Sequence, residues 1–217
     1  MASAALPLGP TVFPPQLVAK NSLGFTWNYT LFDGEGGKGL YFVRFPKVLF
    51  GGGAVPCHVL HNGTREKDPE LATAMYANEE RRVVFVTTAM PGRRGSGPGS
   101  TTWRFTPDIG DGTSAKNSLH QVTGTPGMGK TAEVFDWRYV KGSDAIKEVG
   151  AHGFELVRRT GGRSDIVAVL GFKSFSVKKR YTFAFLGDGL GLGREFEVMA
   201  VMTMIRVEFL FQEAARS

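Results

Sequence analysis

The hydrophobic pattern changes character once along this chain. Up to about residue 190, short apolar runs alternate with turns rich in Gly, Pro, Asn and Asp, which is how consecutive strands read. From residue 194 the turns stop, and the segment REFEVMAVMTMIRVEFLFQEAARS is apolar on every side at its centre. Val198, Met199, Val201, Met202, Met204 and Ile205 leave no polar stripe, and 198–205 carries no charge. A helix of that kind must be surrounded. A membrane span wants about 20 apolar residues, whereas 196–211 is shorter and contains Glu197, Arg206 and Glu208. Protein is the expected surrounding. Ala200, the methionines and the Glu and Arg residues at both ends favour helix over strand, with bounds at about 194–212.

Strands are predicted at 24–32, 40–45, 55–60, 82–88, 101–105, 132–140, 154–158, 165–172, 175–177 and 181–186. The first two flank a glycine-rich connection, 33–39, suited to a hairpin. The run Ile166-Val167-Ala168-Val169-Leu170 does not alternate, as expected where both faces of a strand are covered. Residues 69–78 read as a short surface helix, 91–100 as a Gly/Pro/Ser-rich loop and 118–123 as a weak strand at best. Residues 1–22 read as a flexible N-terminal arm. The sum is a mainly β chain with one domain, 23–217: a closed antiparallel β-barrel of about 10–12 strands enclosing a hydrophobic C-terminal α-helix.

Composition agrees with one sizeable core, since 217 residues are 42% hydrophobic. The single Cys57 excludes an internal disulfide framework, fits a reducing compartment and reads as a small buried hydrophobe. Residues 1–15 lack a basic n-region and are broken by Pro7, Pro10, Pro14 and Pro15, a poor signal peptide. The expected address is intracellular, cytoplasmic or nuclear, with room for a peripheral place at a membrane. In that setting Asn28-Tyr29-Thr30 and Asn62-Gly63-Thr64 match the glycosylation pattern by chance.

One string points to nucleotide binding. Gly124-Thr125-Pro126-Gly127-Met128-Gly129-Lys130-Thr131 satisfies G-x-x-x-x-G-K-[ST], whose amides cradle phosphates while Lys and Thr serve phosphate and magnesium. That chemistry needs a strand before the loop and a helix after it, because the helix N-terminus supplies the positive field. The stretch after Thr131 is Ala132-Glu133-Val134-Phe135-Asp136-Trp137-Arg138-Tyr139-Val140, alternating and aromatic, and it reads as strand. A partial partner, Phe183-Ala184-Phe185-Leu186-Gly187-Asp188, is also how any strand enters a turn. The string is therefore read as a hairpin turn, with a nucleotide-binding loop as the alternative.

Other chemistry is thin. His58, His61, His120 and His152 have no carboxylate or cysteine at ligand spacing, and His58 and His61 read as solvent-facing or turn residues. The G-x-S-x-G pattern is absent. Trp27, Trp103 and Trp137 fall in strand candidates and read as packing residues. No catalytic, metal or cofactor residue is assigned. Charge says more. The net charge is +6, and within 156–180 Arg158, Arg159, Arg163, Lys173, Lys178, Lys179 and Arg180 face Asp165 alone. A basic face attracts polyanions, anionic lipid headgroups before nucleic acid.

Phe135-Asp136-Trp137-Arg138, Phe154-Glu155-Leu156-Val157-Arg158, Ile166-Val167-Ala168-Val169, Phe183-Ala184-Phe185-Leu186-Gly187 and Glu197-Val198-Met199-Ala200-Val201 together resemble a group of filamentous-fungal proteins with a tubby-C-terminal-like domain. The opening hairpin, Tyr29-Thr30-Leu31-Phe32-Asp33-Gly34 into Leu40-Tyr41-Phe42-Val43, is similar to the repeated hairpin of LURP-one and phospholipid scramblase folds. The resemblance is best over 134–216 and weaker over 25–45. It implies a twelve-stranded barrel threaded by a hydrophobic C-terminal helix. Tubby domains bind phosphoinositides through basic pockets, but no ligand position of theirs maps onto a residue here, and the fungal members bring no activity. The expected function is a non-enzymatic binding or interaction module, with an anionic phospholipid headgroup as leading ligand, nucleic acid less favoured and no membrane span. A protein-interaction domain with no small ligand is the other alternative.

Overall fold

The computed structural model describes residues 12–20, 27–46, 56–77, 83–88, 102–107, 119–124, 132–160, 163–172 and 179–215. Twelve strands form one closed antiparallel barrel in which sequence neighbours are sheet neighbours: β1 (Gln16–Lys20), β2 (Tyr29–Asp33), β3 (Gly39–Arg44), β4 (Pro56–Asn62), β5 (Glu70–Tyr76), β6 (Val84–Thr88), β7 (Thr102–Thr106), β8 (Leu119–Gly124), β9 (Glu133–Lys141), β10 (His152–Thr160), β11 (Arg163–Phe172) and β12 (Lys179–Phe185). The ring closes where β1 pairs with β12, Leu17 opposite Phe183 and Ala19 opposite Tyr181. Closure removes every sheet edge.

The lumen is filled by α2 (Arg194–Ala214), and 196–208 is buried without interruption. Each large aliphatic side chain there contributes about 1.5–3 kcal/mol on burial, so the helix belongs to the core. Apolar packing has no direction of its own. Depth and rotation are set by polar contacts: Trp137 Nε1 donates to Thr203 Oγ1 at 3.0 Å, His58 Nε2 donates to the Met202 carbonyl at 3.0 Å, and Glu197 Oε2 accepts from the amides of Val12 and Phe13 at 2.7 and 3.1 Å. A second, smaller core lies outside the sheet. There α1 (Asp144–Lys147), capped by Ser143, lays Ile146 with Val149 over Val169 and Ala184, which is why the run 166–170 does not alternate.

Several sequence expectations need correction. Residues 69–78 are not a surface helix, since β5 occupies Glu70–Tyr76. Its alanines score as helix formers, yet Ala72 and Ala74 are fully buried, and β5 is one of the strands the helix packs against. Small side chains on that wall make room for α2, and tertiary context overrides propensity. The N-terminal arm is too long by one strand, because Gln16–Lys20 is β1 and Phe13 ahead of it is buried. The weak strand at 118–123 is β8, with His120 and Val122 inward. The candidate strand at 175–177 and the loop at 91–100 lie outside the described residues. His58 and His61 are buried rather than solvent-facing. A register shift between Pro56 and His58 gives β4 an extra residue and turns the His58 ring into the lumen.

Candidate functional site: basic residues at the two ends of the barrel

Strand direction decides which basic residues can meet. Phe196, in the first turn of α2, packs on Phe135 and Phe185, which places the start of the helix at the end of the barrel where β12 finishes, its basal end. At the other, exit end, Phe211 packs on Phe172, Tyr139 and His152, and Phe209 on Trp27 and Phe45. The ten-residue strand β11 runs from Arg163 at the basal end to Phe172 at the exit end. At about 3.3 Å per residue the two ends of that strand are roughly 30 Å apart. Arg158, Arg159 and Arg163 therefore sit at the basal end, while Lys179 and Arg180 open β12 at the exit end. Lys173 and Lys178 lie outside the described residues, in the connection between β11 and β12. Among the described residues the five basic positions form two groups at opposite ends and do not converge on one pocket.

Three of the seven are held by carboxylates from elsewhere in the chain. Arg158 grips Glu133 of β9 with two hydrogen bonds, Nη2 to Oε1 at 2.7 Å and Nε to Oε2 at 3.1 Å. Arg159 Nε donates to Asp136 Oδ2 at 2.8 Å, and its Nη1 to Ser164 Oγ at 3.2 Å, while Arg138 approaches the same Asp136 oxygen at 3.6 Å. Arg180 is sunk into the exit mouth. It meets Glu208 of α2 with Nε to Oε1 at 2.6 Å and Nη2 to Oε2 at 3.1 Å, both side chains nearly inaccessible. Burial alone would lower the Arg180 pKa, but the Glu208 charge and hydrogen bonds together with Tyr29 and Tyr181 outweigh it and raise the pKa, so the guanidinium is held cationic. Its plane lies 4.6 Å from the Tyr29 ring centre, and Tyr29 in turn accepts a hydrogen bond from the Tyr181 hydroxyl at 2.8 Å. Of Arg163 and Lys179 the structure gives the backbone position only.

The lumen has polar groups tuned away from reactivity. His58 accepts from the Cys57 thiol at Nδ1, 3.2 Å, and donates from Nε2 to Met202. Burial, aided by the Arg206 charge, pushes His58 down to about 3 and His120 down to about 4. Burial pushes the Cys57 thiol up to about 11. A neutral imidazole beside a protonated thiol is the reverse of an activated Cys–His pair. Among the described residues no group of three or more His, Cys, Asp or Glu could hold a metal ion, and no helix is long and apolar enough to cross a membrane.

The phosphate-loop string sits in the wrong setting for its chemistry. Gly124 ends β8 and pairs with Glu133, which begins β9, so the described strands on either side form an antiparallel hairpin with no helix after Thr131. Residues 125–131 lie outside the described residues. Gly124 has a packing reason of its own: a Cβ there would stand 2.4 Å from Cε3 of the buried Trp103. The look-alike at 183–188 leaves β12 into a turn, with Gly187 at φ 50°, and its sheet neighbours are β1 and β11 rather than β8. The residues that sequence reading missed are the partners Glu133, Asp136 and Glu208, which sit 23 to 28 positions from their arginines. Comparison with protein-family models, with curated proteins and with solved structures found no match to this chain.

Proposed function

We propose that the protein is a non-enzymatic binding module for anionic phospholipid headgroups, phosphoinositides foremost, working at a membrane surface from an intracellular compartment. The observation that carries this reading is the charge of 156–180. Its seven basic residues outnumber Asp165 and the partner carboxylates Glu133, Asp136 and Glu208, an excess of three over that stretch of sequence. The filled lumen adds support. With α2 occupying the barrel and Cys57 and His58 both held in unreactive forms, recognition falls to the outer surface and the two ends. A closed twelve-strand barrel around a hydrophobic C-terminal helix is also what kinship with tubby-like domains would give.

Vesicle sedimentation tests it. The wild-type chain is expected to pellet with vesicles of equimolar phosphatidylcholine and phosphatidylserine and to stay in solution with phosphatidylcholine alone. Binding should weaken as salt rises, because exposed charges more than about 8–10 Å apart are screened at physiological ionic strength. A phosphoinositide should compete better than phosphatidylserine if a pocket exists, and only in proportion to charge if there is a patch. Equal behaviour on both vesicle types would remove the lipid reading and return the chain to the class of protein-interaction domains.

A further inference from the structure

Closure gives each strand two neighbours, but β11 outruns one of them. It pairs with β10 along its whole length, from Arg163 opposite Thr160 to Phe172 opposite His152, whereas β12 accompanies it only over Ala168–Gly171. One further bond, from the Leu186 amide to the Val167 carbonyl, ends that contact. On the other side β10 pairs with β9 as far as Arg158, so Arg159 and Thr160 also lie past their neighbour. Ser164, Asp165 and Ile166 are exposed in succession, Ile166 at 37%. Successive strand residues point to opposite faces, so among the described residues neither face of this hairpin end is covered. A two-stranded end without packing on either face opens locally at little cost to the ring.

Its outer face carries an unbalanced set of charges. Arg159 stands directly opposite Ser164, and its Nη1 donates to Ser164 Oγ at 3.2 Å. The same guanidinium donates from Nε to Asp136 Oδ2 at 2.8 Å, and Arg138 stands 3.6 Å from that oxygen. Two guanidiniums thus share one carboxylate. Asp136 is buried while both arginines reach solvent. Asp165 follows Ser164 in the chain but points to the other face. One positive charge is therefore in excess beside a hydroxyl whose oxygen already accepts from an arginine and whose own proton takes no part in that bond. An arginine fork matches phosphate geometry with two charge-assisted hydrogen bonds.

We infer that Ser164 is a phosphorylation site for a serine protein kinase that selects basic sequences, with Arg159 receiving the phosphate while Arg138 keeps Asp136. Arg158, Arg159 and Arg163 precede the hydroxyl by six, five and one positions, the charge that an acidic peptide groove on the kinase attracts. In the transfer the Ser164 hydroxyl gives its proton to the carboxylate base of the kinase and its oxygen bonds to the γ-phosphorus of ATP. The bond from that phosphorus to the β–γ bridging oxygen breaks, and ADP leaves. The product carries a charge of about −1.5 to −2 at pH 7, enough to turn the local excess from positive to negative. This modification goes beyond headgroup binding and does not depend on it.

The folded wild-type chain, incubated with magnesium-ATP and the catalytic subunit of either cyclic-AMP-dependent protein kinase or protein kinase C, should take up phosphate at residue 164. Mass spectrometry of the digested chain reads this, and Ser164→Ala should lose the signal. Phosphoserine placed at 164 by genetic encoding separates the receiving site from the kinase. Followed by phosphorus NMR against pH, its second ionisation should lie at about 5 instead of the about 6 of free phosphoserine, an about tenfold gain in acidity, and Arg159→Met should restore it. That variant keeps its fold, because the ion pair it removes is exposed. Absence of phosphate at 164 with both kinases, an ionisation unmoved from about 6, or a shift that survives Arg159→Met would each overturn the inference.

Discussion

Replacing Arg180 with methionine takes a guanidinium out of the exit mouth while leaving the carboxylate of Glu208 in place, with 9% and 0% of the two side chains accessible in the wild type. Such a site gives little room for water to take over. Removing one member of a buried ion pair costs about 3–5 kcal/mol, and the contact with the Tyr29 face adds about 0.5–1 kcal/mol. For a domain of this size each kcal/mol lowers the midpoint by about 2–4 °C, so Arg180→Met should melt about 7–24 °C below wild type. The control is the double replacement Arg180→Met with Glu208→Leu. It removes both charges and should recover most of the loss, because an apolar pair of similar volume is often neutral or stabilising. Arg159→Met offers the contrast. Its side chain is 45% exposed, where an ion pair contributes only about 0–1 kcal/mol. Calorimetric melts of the four proteins decide. An Arg180→Met midpoint within about 2 °C of wild type, or a double variant worse than the single, would show that the pair is not buried as described. It follows that reversing Arg180 to Glu is no test of lipid binding, since it would set two carboxylates against each other in the core.

Met202→Asp should abolish soluble, cooperatively melting protein, since Met202 is fully buried beside His58 and a buried carboxylate costs several kcal/mol; near-wild-type melting would sink the enclosed-helix architecture. Gly124→Ala should lower stability by about 1–3 kcal/mol through overlap with Trp103. Lys130→Ala should leave the melt unchanged, and calorimetric titration of the wild type with magnesium-ATP and magnesium-GTP should show no binding; micromolar affinity lost in the variant would revive the nucleotide-loop reading. His58 is held down to about 3 in the fold against 6.5 ordinarily, so the unfolded chain takes up the proton first as pH falls. Stability from this group is complete well above pH 6.5 and declines toward pH 4, by on the order of 3 kcal/mol. Melts of His58→Gln should fall less steeply than wild type over that range, and parallel slopes would refute the assignment.

The barrel and its filling were legible in the sequence because each leaves a local trace. Alternating runs bounded by Gly and Pro give strands, and a segment apolar on all sides gives a surrounded helix. Two strands escaped for different reasons. β1 was hidden by the prolines that precede it, since Pro14 and Pro15 make Gln16–Lys20 resemble the end of a loose arm, and β5 was hidden by alanines whose small size serves α2 rather than a helix of their own. The site was less legible still. Counting charge within 156–180 cannot see Glu133 or Glu208, because an ion pair across strands or onto the helix has no sequence spacing. The count also cannot say that Arg163 and Arg180 stand at opposite ends of the barrel, which only the topology decides.

The closing pair of β1 with β12 sets the order in which this molecule can be made. A ribosome delivers β1 first and holds it through the synthesis of eleven further strands before its second neighbour exists, and the helix that fills the lumen comes last of all. Until then the inward faces of Leu31, Trp103, Phe105, Phe135 and Trp137 have nothing to pack against. Pairings this distant in sequence make folding slow, and unfilled sheets invite association with other chains. The barrel thus stays unfilled until α2 has been made, and premature termination inside α2 would release an open, sticky sheet rather than a shortened barrel.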